Sequence, residues 1–177
     1  MILKQSGTLQ TARIQDGARS AEEITRVYYS HIDTVYRVCF SFMGNKQDAQ
    51  DAAQAVFIKY MKSKQIFSDT EHEKAWLITA SKNQCRDLHR QWWRKKVVMY
   101  DQLPEAAGED SGSDDAVTDS LLRLPAKYRI VLYLFYYEAY RLSEIADMLS
   151  LNVNTVKTRI KTAKKLLKME LEVELND

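Results

Sequence analysis

Apolar residues recur along most of the chain at the three-and-four spacing that places them on one face of a helix. Ile24, Tyr28, Ile32, Val35, Cys39 and Phe42 keep that spacing until Gly44, and the stripe opens behind "SAEE", in which Ser20 and Glu23 form a capping-box pattern. "KQDAQDAAQAVFIKYMKS" predicts a second helix with Ala49, Ala52, Val56 and Tyr60 on its core side and Asp48, Asp51 and Gln54 on the other. After "QIFSDTEHE" a third helix is expected from near Lys74 to about Lys96, with Leu77, Ala80, Leu88 and Trp92 in the core register. "DQLPEAAGEDSGSDDAVTDS" then breaks the pattern with Pro, Gly and Ser and reads as a flexible linker. Beyond it a helix from Pro125 to Glu138, opened by Pro in its first turn, leads to a short amphipathic stretch with Leu142, Ile145, Ala146 and Leu149. "SLNVN" interrupts the period, and Val156, Ile160, Ala163 and Leu167 form one last narrow stripe. The segment ahead of Ser20 is polar and weakly patterned, as a mobile tail is.

With only five Gly and two Pro in 177 residues, this periodicity predicts an all-α protein of two small helical domains joined by the linker. A hydrophobic content of 45% argues against global disorder. The formal net charge of +2 says nothing about nucleic acid, but its distribution does. Between Asp101 and Ser120 lie seven acids and no Lys or Arg, so the cations are concentrated on either side.

From Asn152 to Lys168 the chain holds six cations (Lys157, Arg159, Lys161, Lys164, Lys165, Lys168) and no acid. Such a run forgoes the i,i+4 ion pairs that support a helix in water, so the negative charge comes from outside the chain. The bland alternative is a basic solvated face. Two short helices joined by a tight turn, the second one basic, make the helix-turn-helix pattern, in which the second helix enters the major groove of duplex DNA. Thr155, Lys157, Thr158, Lys161 and Thr162 are then candidates for base edges and nearby phosphates, and Arg159, Lys164, Lys165 and Lys168 for phosphates. The third helix raises the same question: "ASKNQCRDLHRQWWRKK" holds six cations against the single acid Asp87. Asn83, Arg86 and Arg90 share a face away from the core register. With Trp92 in that register, Trp93 is the aromatic left for nucleic acid, where rings stack on bases and cations meet phosphates.

Little else carries chemistry. Cys39 and Cys85 belong to no metal or disulfide framework, and His31, His72 and His89 show no ligand spacing and no paired carboxylate. No catalytic constellation, metal site or cofactor site is expected, and the chain does not read as an enzyme. "IVLYLFYY" is too short to span a bilayer and "MILKQSGT" lacks the apolar core of a signal peptide, so a cytoplasmic location is expected.

From about Ser20 to Leu171 these residues, in order, resemble the extracytoplasmic-function sigma factors, small bacterial transcription initiation factors of the sigma-70 family. "DAQDAAQAVFIKYMKS" resembles the region 2.2 helix of that family, and "KAWLITASKNQCRDLHRQ" its regions 2.3 and 2.4. "LLRLPAKYRIVLYLFYYEAYRLSEIADMLSLNVNTVKTRIKTAKKLL" resembles regions 4.1 and 4.2. The resemblance implies a tail over 1–19, a region 2 domain over 20–98, an acidic linker over 99–120 and a region 4 domain over 121–172. It implies that Asp48, Asp51 and Gln54 dock on the clamp helices of RNA polymerase, and that Asn83, with Arg86, Arg90 and Trp93 beside it, faces the minus-10 strand. Thr155, Lys157, Thr158, Arg159, Lys161, Thr162, Lys164 and Lys165 meet the minus-35 duplex. The implied partners are core polymerase, promoter DNA and an anti-sigma factor. The chain departs from the family pattern at Ala55, where Gln-Glu is usual, at Arg141, where a Ser cap is usual, and at Ser150, Asn152 and Asn154 in the turn. A stand-alone helix-turn-helix regulator would leave the Asn83 face without a role, and a polymerase adaptor that reads no promoter would leave both basic helices idle.

Overall fold

The structure, a computed structural model, describes residues 19–98, 121 and 123–174, and only the backbone of 92–98, 170, 173 and 174. Among the described residues every regular element is a helix. Helix α1, Ala21–Met43, starts where Ser20 Oγ accepts the Glu23 N–H at 3.1 Å and stops at Gly44, whose φ of 77° lies in the left-handed region that favours glycine. Helix α2, Lys46–Lys62, is capped by Asn45, whose side-chain oxygen accepts the Asp48 N–H at 2.9 Å. Helix α3, Thr70–Val98, begins a turn before the expected Lys74, because Asp69 Oδ1 accepts the His72 N–H at 2.7 Å and caps it.

The expected Pro125–Glu138 helix is two elements. Helix α4, Ala126–Leu132, runs into a π-helical segment, Tyr133–Tyr137, and Pro125 stands at the cap rather than inside the first turn. The wider turn closes with the Glu138 N–H bonded to the Tyr133 carbonyl at 3.2 Å and the Tyr140 N–H to the Leu134 carbonyl at 3.0 Å. Helix α5, Leu142–Leu149, starts at Arg141 without a Ser cap; instead Glu144 reaches back to accept the Arg141 N–H at 2.7 Å. It ends in a Schellman closure, with Leu151 N–H on the Ala146 carbonyl at 2.8 Å and Ser150 at φ 54°. Asn152 then accepts the Asn154 N–H at 2.8 Å and opens helix α6, Val153–Glu174.

Two cores form. Val27, Val35, Cys39, Ala49, Ala52, Val56, Phe57, Tyr60, Leu77 and Cys85 pack α1, α2 and α3 together. On α1 the buried stripe is Val27, His31, Val35, Val38 and Cys39, whereas Tyr28, in the apolar stripe predicted for this helix, is 43% exposed. The second core joins Ile130, Val131, Leu134, Ile145, Leu149, Val156, Ile160 and Ala163 of the later helices with Val38 of α1 and Ile78 of α3. The C-terminal half therefore completes its core on the N-terminal half. Polar contacts seal the seam. Arg129 Nε donates to the Ser41 carbonyl at 3.1 Å, at the C-terminal end of α1 where a helix dipole favours a cation, and its guanidinium packs over Gly44. Glu138 accepts from Thr34 Oγ1 of α1 at 3.1 Å and pairs with Lys74 of α3 and the Tyr133 hydroxyl.

The expected tail, apart from Arg19, and the acidic linker lie outside the described residues. No described helix is long and apolar enough to cross a membrane.

Candidate nucleic-acid interface

Three surfaces carry the candidate residues. The first is the solvent side of α6. Its apolar positions Val156, Ile160 and Ala163 are buried against α4 and α5, and that anchoring turns the intervening positions outward. Lys157, Thr158, Lys161, Lys164 and Lys165 are exposed, as is Asn154 in the first turn. Thr155 and Thr162 are half-buried at the edges of this face. Lys164 Nζ sits 5.1 Å from the Tyr136 ring centroid, a cation–π contact that orients it toward the π-helical segment. Lys168 pairs with Glu172 at 3.6 Å. Arg159 stands apart: half-buried, it turns toward α3 rather than outward with the lysines.

The second surface is on α3. Asn83 is half-buried, Arg86 and Arg90 are exposed, and Arg90 pairs with Asp87 at 3.4 Å. Trp93 lies on the backbone-only stretch, outside the described side chains. The helix is held from below by Leu77, Ile78, Ala80 and Cys85, and by Ser81, whose hydroxyl donates to the Leu77 carbonyl at 2.8 Å. Lys82, one residue before Asn83, donates to Ser150 Oγ in the turn between α5 and α6 at 2.9 Å. Burial, together with the charge of Arg86, lowers the pKa of its ammonium below the usual lysine value.

The third surface is the outer face of α2. Asp51 and Gln54 are exposed, and Ile58 and Met61, 50% and 44% exposed, continue the same face toward its C-terminal end. Asp48 is less free: the Asn45 amide donates to its carboxylate at 2.7 Å, which ties it into the cap of the helix. Ala55 is half-buried beside this face and carries no polar group to add.

The arrangement brings two of the candidate groups together. Lys82, Arg86 and His89 of α3, Lys127 of α4 and Arg159 of α6 line one cleft between the halves, with Phe42, Ile130, Leu149 and Leu151 as its apolar walls. Sequence spacing places Arg86 and Arg159 in separate groups and gives Lys127 no role, since nothing local relates residues so far apart. A buried polar cluster at the far end of the N-terminal bundle was equally invisible. Glu73, 3% exposed, accepts from the Tyr60 hydroxyl at 2.8 Å and from Arg26 at 3.2 Å, and lies 3.5 Å from His31 Nε2. Burial lowers the pKa of His31, and the opposing pull of Glu73 does not restore it. Burial also raises the Tyr60 hydroxyl, with the Glu73 hydrogen bond adding to it, so the tyrosine stays protonated as a donor. This cluster lies away from the three surfaces and braces α1 against α3.

Two family models cover most of the described chain. Residues 27–95 match the family described as Sigma-70 region 2, and residues 114–167 match Sigma-70, region 4. RNA polymerase sigma factor SigV of Bacillus subtilis is 32% identical over 148 residues, spanning 81% of this chain and 88% of the relative. ECF RNA polymerase sigma factor SigW of the same organism is 30% identical over 159 residues, spanning 78% and 83%. In fold, the chain is similar to the sigma factor RpoE of Bartonella quintana, solved with the anti-sigma factor NepR: TM-score 0.70, 19% identity, 86% of this chain and 99% of that one.

Proposed function

Since this chain belongs to the extracytoplasmic-function sigma factors of the sigma-70 family, we propose that its three surfaces divide the work of promoter recognition as follows. The protein directs core RNA polymerase to promoters and takes part in strand opening, while nucleotide chemistry belongs to the polymerase. The exposed face of α6, with Lys157, Thr158, Lys161 and Lys165 outermost, reads the minus-35 duplex. Thr155, Thr162 and Lys164 contribute from its edges, and Arg159 joins them once it leaves the cleft. Asn83, Arg86, Arg90 and Trp93 hold the minus-10 strand, Asn offering both a donor and an acceptor to a base edge. Asp51 and Gln54, with Asp48 at the helix start, dock on polymerase. Residues 20–98 and 121–172 act as the two working domains, 99–120 as the acidic connector, and the protein acts in the cytoplasm.

The observation that carries this reading is the pair of cation-rich faces on different halves, one backed by the α1–α3 core and one by the α4–α6 core. A single duplex reader needs only the second. In the present arrangement Arg86 and Arg159 face the same cleft and Lys82 is bonded to the α5–α6 turn. The two faces therefore cannot engage separated promoter elements until the halves part. Core polymerase supplies that separation by holding each half on its own site, and an anti-sigma factor opposes it by holding them closed. The test is run-off transcription with core polymerase on promoters differing only in the minus-35 or the minus-10 element. Variants of α6 should lose discrimination at the first element and Asn83→Ala at the second; variants that affect both elements alike would refute the division.

A further inference from the structure

Among the described residues, the cleft at the seam concentrates positive charge without an answering acid. Lys82, Arg86, His89, Lys127 and Arg159 line a space of about 310 Å³, and among the described residues that line it none is an Asp or Glu. Among the described residues none of the four Lys and Arg side chains is in an ion pair, unlike Arg26, Lys74 and Arg90. Lys82 instead spends its donor on a serine hydroxyl, and Lys127 lies 5.0 Å from the Tyr128 ring. Like charges sharing a cleft repel, and the apolar walls of Phe42, Ile130, Leu149 and Leu151 raise that repulsion by lowering the local dielectric. The depressed pKa of Lys82, caused by burial and by Arg86, is one sign of it. An anion reverses the sign of every one of these interactions, and guanidinium groups present planar pairs of donors suited to phosphate oxygens.

We propose that this cleft is a binding site for a phosphate chain, free as polyphosphate or carried by a nucleotide, and that its occupation holds the two halves closed. The space suits several linked phosphates and excludes a duplex. Its four cations come from both halves: Lys82 and Arg86 from α3, Lys127 from α4 and Arg159 from α6. A ligand bridging them binds the closed arrangement in preference to the open one and shifts the population toward it. The binding step stands on the cleft alone. The consequence for transcription, that a phosphate chain opposes promoter engagement by sequestering Arg86 and Arg159, rests on the promoter-reading assignment above.

The experiment is calorimetric titration of the full chain with sodium tripolyphosphate at fixed ionic strength. It is paired with energy transfer between dyes on Thr25→Cys and Asp147→Cys, two exposed positions on opposite halves. The native Cys39 and Cys85 are buried and do not compete for label. The expected result is one saturable site and a rise in the closed population. Lys127→Glu should weaken binding by about tenfold or more, as loss of one charge-assisted contact does, while Lys157→Ala with Lys161→Ala leaves it unchanged. ATP binding as tightly as tripolyphosphate points to a nucleotide, and weaker ATP binding points to free polyphosphate. Equal losses from the Lys127 and the Lys157/Lys161 variants would mean that the anion coats the DNA-reading faces, and would overturn the proposal. So would saturable binding with no change in energy transfer. Both readouts are independent of transcription, so failure here is distinct from failure of the promoter assignment.

Discussion

Replacing Glu138 by Gln should loosen the seam between the two halves. The carboxylate, with only 9% of its side chain exposed, is shared among Thr34, Lys74 and Tyr133; the first two belong to the other half and the third to its own. Glutamine keeps an oxygen for the Thr34 hydroxyl but turns an amide donor or a neutral acceptor toward the Lys74 ammonium. A charge-assisted hydrogen bond contributes about 1.5–3 kcal/mol, against about 0.5–1.5 for a neutral one. Allowing for solvent at Lys74, whose side chain is 21% exposed, the net loss comes to about 1 kcal/mol, or about fivefold in the ratio of closed to open protein. The Thr25/Asp147 dye pair in a urea series measures this as a lower midpoint for separation. Lys74→Gln should have nearly the same effect, and the double variant little more, because both remove the same pair. Burial pushes the Glu138 carboxyl up, but the hydrogen bonds from Lys74 and Tyr133 and the Lys74 charge outweigh it and hold it below its ordinary 4.5. The contribution is therefore complete above about pH 4.5 and disappears as the pH falls through the lower closed-state value. Additive losses in the double variant, or a midpoint that Glu138→Gln leaves in place, would refute the account of the seam.

Other expectations follow from the same contacts. Glu73→Leu should cost about 2 kcal/mol of stability in the N-terminal half, measured by urea denaturation, because it removes the buried acceptor of the Tyr60 hydroxyl, which keeps only its 3.1 Å bond to Glu23, and the partner of Arg26. Asn83→Ala should impair promoter opening far more than closed-complex formation, read as lost permanganate reactivity of minus-10 thymines; unchanged reactivity would make Asn83 structural. Lys157→Ala and Lys161→Ala should each lower the salt slope of promoter binding by about one unit if the lysine meets a phosphate. If it meets a base, the loss should be about 1–3 kcal/mol with relaxed specificity.

The helices and the basic faces were legible because both are local properties. The register of α2 and the stripe of α6 follow from spacings of three and four, and Ala49, Ala52, Val56, Tyr60, Val156, Ile160 and Ala163 are all buried as that spacing requires. Tyr28 shows where the rule blurs, since Val27 and Tyr28 are adjacent on the helix and only packing against α2 and α3 decides which turns in. The π-helical segment was hidden because its extra residue per turn leaves a run of apolar and aromatic side chains unchanged in composition. The seam was beyond reach for another reason: Thr34 and Glu138 are 104 residues apart, and neither stands out in its own segment. The cleft follows from that seam, so Arg86 and Arg159 read as parts of two unrelated surfaces, and Lys127 as part of neither, until the halves are docked.

On the division of labour proposed above, this chain recognises promoters as part of polymerase and only weakly by itself. The direct measurement is an anisotropy titration on a cognate promoter and a scrambled control, with and without core polymerase. The protein alone should bind both weakly and alike, with a Kd of about 10⁻⁴ to 10⁻⁶ M at physiological salt, as nonspecific phosphate contacts give, and selectivity should emerge on adding core enzyme. Tight, sequence-selective binding by the protein alone, unchanged by polymerase, would contradict it.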